Sequence, residues 1–186
     1  LRVLTKDGKD SSSKSYMWLY KSGNYGKKIS LYEYTPSRSG KNPKNFLQGF
    51  SGFLQTDDYS GYNSVENVTR VGCLAHARRY YTDALKALPK EAQIESTYAH
   101  AATKFFKEMF ILEDKYKDFS PDERLSLRQS QLKPIFQAYL SWLQEVQPKV
   151  VPRSSLGKAI SYSLSNWDLI TNILRDGQCE LSNNAA

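Results

Sequence analysis

The hydrophobic period of this chain changes once, at about Leu74. Before that point apolar residues come in short runs separated by turn residues, which is a strand pattern. Leu1–Thr5 reads as the tail of a strand, Ser15–Tyr20 as a second and Ile29–Thr35 as a third. Ser22-Gly23-Asn24-Tyr25-Gly26 supplies turn chemistry between the last two, so they form a hairpin. Lys6–Lys14, with Gly8 and three serines, reads as a mobile turn. Asn42 as N-cap and Pro43 at the first helical position predict a short helix with Phe46, Leu47 and Phe50 on one face, ended by Gly49 and Gly52. A strand then leads to Asp57, and Val68–Gly72 is another.

After Leu74 the spacing is helical. His76, Tyr80 and Asp83 share one face of the first helix. Ile94–Phe119 predicts a long amphipathic helix with Tyr98, Phe105, Met109 and Leu112 on its buried side. Ser120-Pro121-Asp122-Glu123 is a capping box with Pro at the first helical position. The helix it opens runs to about Val146, with a bend expected at Pro134. Ser154 or Ser155 starts another, and Trp167–Leu174 is a last helical piece. The expected fold class is α/β, with strands and one short helix before Leu74 and helices after it.

The charge is as unevenly placed as the period. Residues 1–80 hold 13 Lys/Arg against 6 Asp/Glu, while residues 81–186 hold 13 of each, so the whole net charge of +7 lies in the first part. A basic surface there fits a polyanion such as DNA, and it equally serves solubility. No apolar run approaches the roughly 20 residues of a membrane span. Leu1 is no initiator Met and no signal peptide follows it, so the expectation is an internal point of a longer protein. Two distant cysteines, Cys73 and Cys179, make no disulfide framework and fit a reducing cytosol.

Phe53-Leu54-Gln55-Thr56-Asp57-Asp58-Tyr59-Ser60-Gly61-Tyr62-Asn63 carries the most chemistry. An apolar pair runs into a carboxylate pair, as when a strand presents an acid beyond its carboxyl end, where α/β sheets bind ligands. The other reading is an Asx-type turn, with the Asp side chain bonded to its own backbone. Cys73-x-x-His76 has the spacing of a zinc half-site, but structural zinc needs about four ligands. Only Cys179 and His100 are left to supply them and they form no second close pair, so no zinc is expected. Arg78 and Arg79 follow directly, and Arg grips phosphate bidentately. Arg70, Lys41, Lys44 and Arg38 extend the candidate DNA-binding set, each equally readable as a solvated charge. Tyr59 and Tyr62 either stack on an unpaired base or pack beneath the loop.

Leu54-Gln55-Thr56-Asp57, the Tyr59–Tyr62 loop and Val71-Gly72-Cys73-x-Ala75-His76-x-Arg78-Arg79 together resemble bacterial insertion-sequence transposases of the DDE type, the insertion sequence sixty-six family in particular. Tyr16–Tyr20, Leu156–Ile160, Trp167 and Leu181–Ala186 fit the same family, in the same order along the chain. The resemblance implies a ribonuclease H-like mixed sheet with a large all-helical insertion. It divides the chain into a partial core (1–89), the insertion (90–175) and the approach to a final core helix (176–186), with Ser182 or Asn183 as N-cap. It implies strand cleavage and joining of DNA at mobile-element ends, with three acids holding Mg²⁺ or Mn²⁺; paired ions in such sites lie about 3.5–4 Å apart. Asp57 matches the second acid, both catalytic residue and metal ligand. The first is expected upstream of Leu1 and the third just after Ala186, so the piece in hand is expected to be inactive alone and to bind no ion tightly. The family usually has Gly where Asp58 stands. Cys73 and His76 are implied as a structural brace near the site, and Asn183 and Asn184 as its neighbours. The resemblance further implies DNA and self-association in a transposition complex as partners, no membrane, and a bacterial cytoplasmic, nucleoid-associated location. Two other readings stay open: a non-catalytic DNA-binding or regulatory fragment of a decayed element, and a ribonuclease H-like nuclease using other acids.

Overall fold

A computed structural model describes residues 2–4, 14–93 and 97–183. The chain separates into two units, residues 1–53 with 59–69, and residues 54–58 with 70–186.

The first unit holds three antiparallel strands in the order β1 (Arg2–Leu4), β2 (Lys14–Lys21), β3 (Ser30–Thr35). Trp18 faces Glu33 and Tyr20 faces Leu31 across the hairpin, the pairing that the turn at Ser22–Gly26 leads one to expect. Trp18 is the buried anchor. Its Nε1–H donates to Thr35 Oγ1 at 2.9 Å, which satisfies the one polar group the ring carries inside. Tyr59 and Tyr62 pack on this indole at 6.2 and 5.8 Å between centroids, so both pack beneath the loop.

The short helix α1 (Lys41–Phe46) begins earlier than expected, with Gly40 as its N-cap. Asn42 therefore lies inside the first turn. Its side-chain amide donates to Thr35 Oγ1 (3.2 Å) and Ser37 O (2.8 Å), partners that compete with a capping role. The expected apolar face is not buried either: Phe46 and Phe50 are exposed, and Phe46 stacks on Tyr20 instead, at 3.7 Å.

Two four-residue strands, β4 (Gly52–Gln55) and β5 (Val68–Val71), pair with each other. The described strands thus make a three-stranded and a separate two-stranded sheet, in place of the single mixed sheet expected. Strands this short offer few ladder groups to a further neighbour. The segment expected to be a mobile turn (residues 6–13) and the expected helix start at Ile94 lie outside the described residues.

The second unit is mainly helical, as the period after Leu74 requires. Helix α2 (Leu74–Lys86) buries Leu74, Ala77, Tyr81 and Ala84. Helix α3 (Tyr98–Lys115) starts where the Thr97 hydroxyl accepts from the His100 amide, at 3.2 Å. Its buried stripe is Ala99, Ala102, Phe106, Met109 and Glu113. Of the four residues expected there only Met109 is buried, while Tyr98 is exposed and Phe105 and Leu112 are half-buried. The stripe turned because small Ala99 and Ala102 admit the neighbouring helix, and because Glu113 finds buried partners that no apolar pattern encodes.

The capping box forms as read from the sequence: the Ser120 hydroxyl accepts from the Glu123 amide and the Glu123 carboxylate from the Ser120 amide. Helix α4 (Pro121–Leu127) passes through a π turn (Arg128–Leu132) into α5 (Lys133–Val146). This wide turn lies just before Pro134, where the sequence leads one to expect an interruption of the helix. A proline has no N–H for the carbonyl one turn back, and its ring crowds that carbonyl. Helix α6 (Ser155–Ser165) is capped by Ser154, and α7 (Trp167–Thr171) runs into a 3₁₀ turn, Asn172–Arg175. No helix among the described residues is long and apolar enough to cross a membrane.

Candidate functional site

Asp57 comes just past the end of β4, and the second unit fixes the backbone on which it stands. Thr56 is buried, and its amide donates to Val71 O at 2.9 Å, which continues the β4–β5 pairing by one step. The Arg70 guanidinium turns inward. It donates to Thr56 Oγ1 at 3.1 Å and to the backbone carbonyl of Asp57 at 3.1 Å. Arg70 itself is held at the end of the helical part, since its carbonyl accepts from Asn172 Nδ2 at 2.8 Å. Beside it, the Gly72 amide donates to Leu169 O at 2.7 Å. Any larger residue at Gly72 would put a Cβ only 3.2 Å from the Ile170 side chain.

The start of α2 forms one wall. Asp58 Oδ1 lies 3.9 Å from His76 Nε2. Tyr80, one turn beyond His76, stacks on Tyr162 of α6 at 4.4 Å. Burial, then the carboxylate of Asp58, pushes the Tyr80 hydroxyl up. The Tyr162 hydroxyl is pushed well above the ordinary phenol range, first by burial and then by the charges of Asp58, Tyr80, Cys73 and Asp57. Helix α6 thus packs on the His76 and Tyr80 rings through Tyr162, a residue whose only sequence signal is its helical spacing.

The last described segment closes on the same place. Gln55 pairs with the backbone of Glu180 in both directions: Nε2 donates to the Glu180 carbonyl at 2.5 Å, and Oε1 accepts from the Glu180 amide at 3.3 Å. Leu74 N donates to Leu181 O at 2.8 Å, and Cys73 Sγ lies 3.6 Å from Ser182 Oγ. Residues 180–182 are therefore pinned between the strand that leads to Asp57 and the start of α2. Gln55 and Cys73 thus meet residues more than a hundred positions later in the sequence.

That meeting joins Gln55, Cys73 and Leu181, three of the residues in the runs that carried the resemblance, and comparison of the whole chain gives the same family. The family described as Transposase IS66 family matches residues 1–186. The chain belongs to this transposase family. Similar proteins come from Sinorhizobium fredii (strain NBRC 101917 / NGR234). Uncharacterized protein y4hP is 31% identical over 170 residues, 84% of this chain and 31% of that protein. Uncharacterized protein y4jD is 28% identical over 164 residues, 82% of this chain and 30% of that protein. Uncharacterized protein y4qI is 26% identical over 192 residues, 95% of this chain and 34% of that protein. The chain spans about a third of the length of these relatives. No solved structure matches it.

Within this IS66-family chain the residues singled out from sequence fall into two groups. Asp57, Arg70, Cys73, His76, Arg78, Arg79 and Asn183 belong to the second unit, and Arg38, Lys41 and Lys44 to the first. Cys73 is buried against Ser182, and His76 faces Asp58. Arg78 and Arg79 are exposed on α2, with the Arg78 guanidinium 5.8 Å from the Phe110 ring centroid. Lys44 pairs with Glu66 at 2.5 Å, and Arg38 lies over the Tyr59 ring at 3.9 Å. Asn183 is exposed, while Asn184 lies outside the described residues. The helix expected after Ser182 or Asn183 lies outside the described residues.

Among the described residues no three His, Cys, Asp or Glu side chains converge where a metal ion would need them. Asp57 and Asp58 are neighbours on one loop, and Mg²⁺ takes one or two carboxylates together with waters or substrate phosphates. Glu180 turns its carboxylate to Arg124, at 3.2 Å. Sequence reasoning missed Gln55, Tyr162 and the buried Glu113, Arg124 and Arg128. Gln55 alone had a signal, as part of the Leu-Gln-Thr-Asp run.

Proposed function

We propose that this chain is the central part of the catalytic core of a DDE-type transposase, with a ribonuclease H-like arrangement of its strands and a helical insertion over residues 90–175. In the longer protein Asp57 is one carboxylate of the catalytic set, and residues outside this chain complete it. The observation that carries the reading is the convergence of residues 180–182 on Gln55 and Cys73. A site whose acids come from separated parts of a chain needs those parts tied together at the backbone, and this is such a tie. The partner is DNA at the ends of the mobile element and at its target, bound by several copies of the protein in one complex. Mg²⁺ or Mn²⁺ belongs to the completed set of acids, of which Asp57 is one.

In this reading Arg70 and Thr56 hold the Asp57 backbone, so the carboxylate is presented from a fixed loop. Asp58 replaces the usual glycine and turns its charge to His76. Arg78 and Arg79 face solvent and supply phosphate contacts. The test is cleavage of labelled element-end DNA by the full-length protein, with and without Mg²⁺. Metal-dependent cleavage that disappears in Asp57→Asn, with DNA binding retained, is the expected result. Cleavage that survives Asp57→Asn overturns the assignment.

A further inference from the structure

Three charged side chains are buried at the junction of α3, α4 and the π turn: Glu113, Arg124 and Arg128, of which Arg128 is fully enclosed. The Glu113 carboxylate accepts from both guanidinium groups. Such a cluster is not explained by stability alone. Taking charges out of water costs several kcal/mol per ion, and well-packed apolar residues often serve as well or better. What apolar residues cannot do is donate hydrogen bonds, and Arg128 donates to three carbonyls. Its Nη1 reaches Ile173 O (3.3 Å) and Asp176 O (2.7 Å), and its Nη2 reaches Cys179 O (2.6 Å). Arg124 adds the side chain of Glu180, at 3.2 and 3.3 Å.

These acceptors lie on one irregular stretch, from the 3₁₀ turn to the residues pinned beside Asp57. An irregular buried segment has carbonyls that no helix or ladder satisfies, so they need donors from elsewhere. A guanidinium offers five donors in a rigid plane, and so fixes the positions of several acceptors at once. The turn at Gly177 brings the stretch against α4: a Cβ there would sit 1.7 Å from Pro121 O. One end of residues 173–182 is thus clamped by Arg128 and Arg124, and the other is tied to Gln55 and Cys73.

We propose that Arg128, held by Glu113, is a positioning residue for the transposase site. It sets where the returning segment delivers the residues that follow it, relative to Asp57. The helical insertion then does more than pack, since its π turn carries the group that aligns the two parts of the core. The transposase role rests on the function proposed above; the clamp itself does not.

The experiment uses the full-length protein and Arg128→Lys, which keeps a charge beside Glu113 but replaces the planar fork with one nitrogen. Glu180→Gln is the milder companion, because Arg124 keeps Glu113. Hydrogen exchange is followed in peptides covering 173–183 and in α5 as a control. Protection of 173–183 should fall by at least about tenfold in Arg128→Lys, with α5 unchanged, as for a local opening. Cleavage of element-end DNA should lose about tenfold or more in kcat, with DNA affinity kept, as for a lost alignment. Equal loss of protection in α5, or full protection of 173–183, overturns the proposal. So does wild-type kcat in a variant whose segment has opened. If Arg128→Lys does not fold, Glu113→Gln, which keeps the shape of the group that holds Arg128 but removes its charge, decides by the same readings. A wild-type protein that never cleaves DNA, with the segment still released in the variant, refutes the transposase reading and leaves the clamp standing.

Discussion

Changing Ser163 to Ala removes one oxygen atom from a buried chain of hydroxyl groups, and the protons can be counted to give the cost. Tyr81, Tyr139 and Ser163 are all fully buried. Tyr139 Oη lies 2.8 Å from both Tyr81 Oη and Ser163 Oγ, Tyr81 Oη lies 3.0 Å from Ser163 Oγ, and Ser163 Oγ donates to Ala159 O at 3.1 Å. Three hydroxyl protons fit one run, Tyr139 to Tyr81 to Ser163 to the Ala159 carbonyl, with each proton used once. Without the serine oxygen, two phenol protons share one contact, and one of them is left buried with no acceptor. A buried unsatisfied group costs about 1–3 kcal/mol. Alanine returns roughly 0.5 kcal/mol of helix propensity within α6. The net expectation is a loss of about 0.5–2.5 kcal/mol. Tyr139→Phe takes away a donor and its proton together and leaves Tyr81 bonded to Ser163, so it should cost only about 0.5–1 kcal/mol. Urea unfolding of the two variants beside the wild type, followed by far-ultraviolet circular dichroism with the slopes compared, measures both. A Ser163→Ala protein as stable as the wild type, or one that loses less than Tyr139→Phe, would refute the proton count.

Two further outcomes follow from the charges. Replacing Arg78 and Arg79 by Ala should weaken DNA binding across all sequences and flatten the slope of log affinity against log salt by about two, if each neutralises one phosphate; an unchanged slope in a salt titration rules out this face of α2. Burial pushes the Tyr81 hydroxyl up to about 12 and the Tyr139 hydroxyl well above its ordinary value. The folded state therefore holds protons that the unfolded state releases above a pH of about 10. Stability from these groups is complete below that pH and should fall as the pH rises through 10 towards 12. Unfolding midpoints that stay flat over this range would show that both phenols ionise freely in the folded protein.

Much of the local structure was written in the sequence. The hairpin, the change to helical period at Leu74, the Ser120–Glu123 capping box and the Ser154 cap each depend on residues within a few positions of one another. Their spacing therefore carries the information. The place of Asp57 just past a strand was legible for the same reason: an apolar run ends at a carboxylate. The face that α3 buries was not, because the partner chooses it, and an acid at Glu113 counts as buried only once Arg124 and Arg128 are in place. Nor was the bracing of Asp57 by Arg70, or the stacking of Tyr162 on Tyr80. Arg128 bonds carbonyls 45, 48 and 51 residues away, and Gln55 bonds a backbone 125 residues away. No period or dipeptide encodes such pairs. Backbone carbonyls are alike at every position, and only the folded chain decides which of them lose their water and must be met by the fork of a particular arginine.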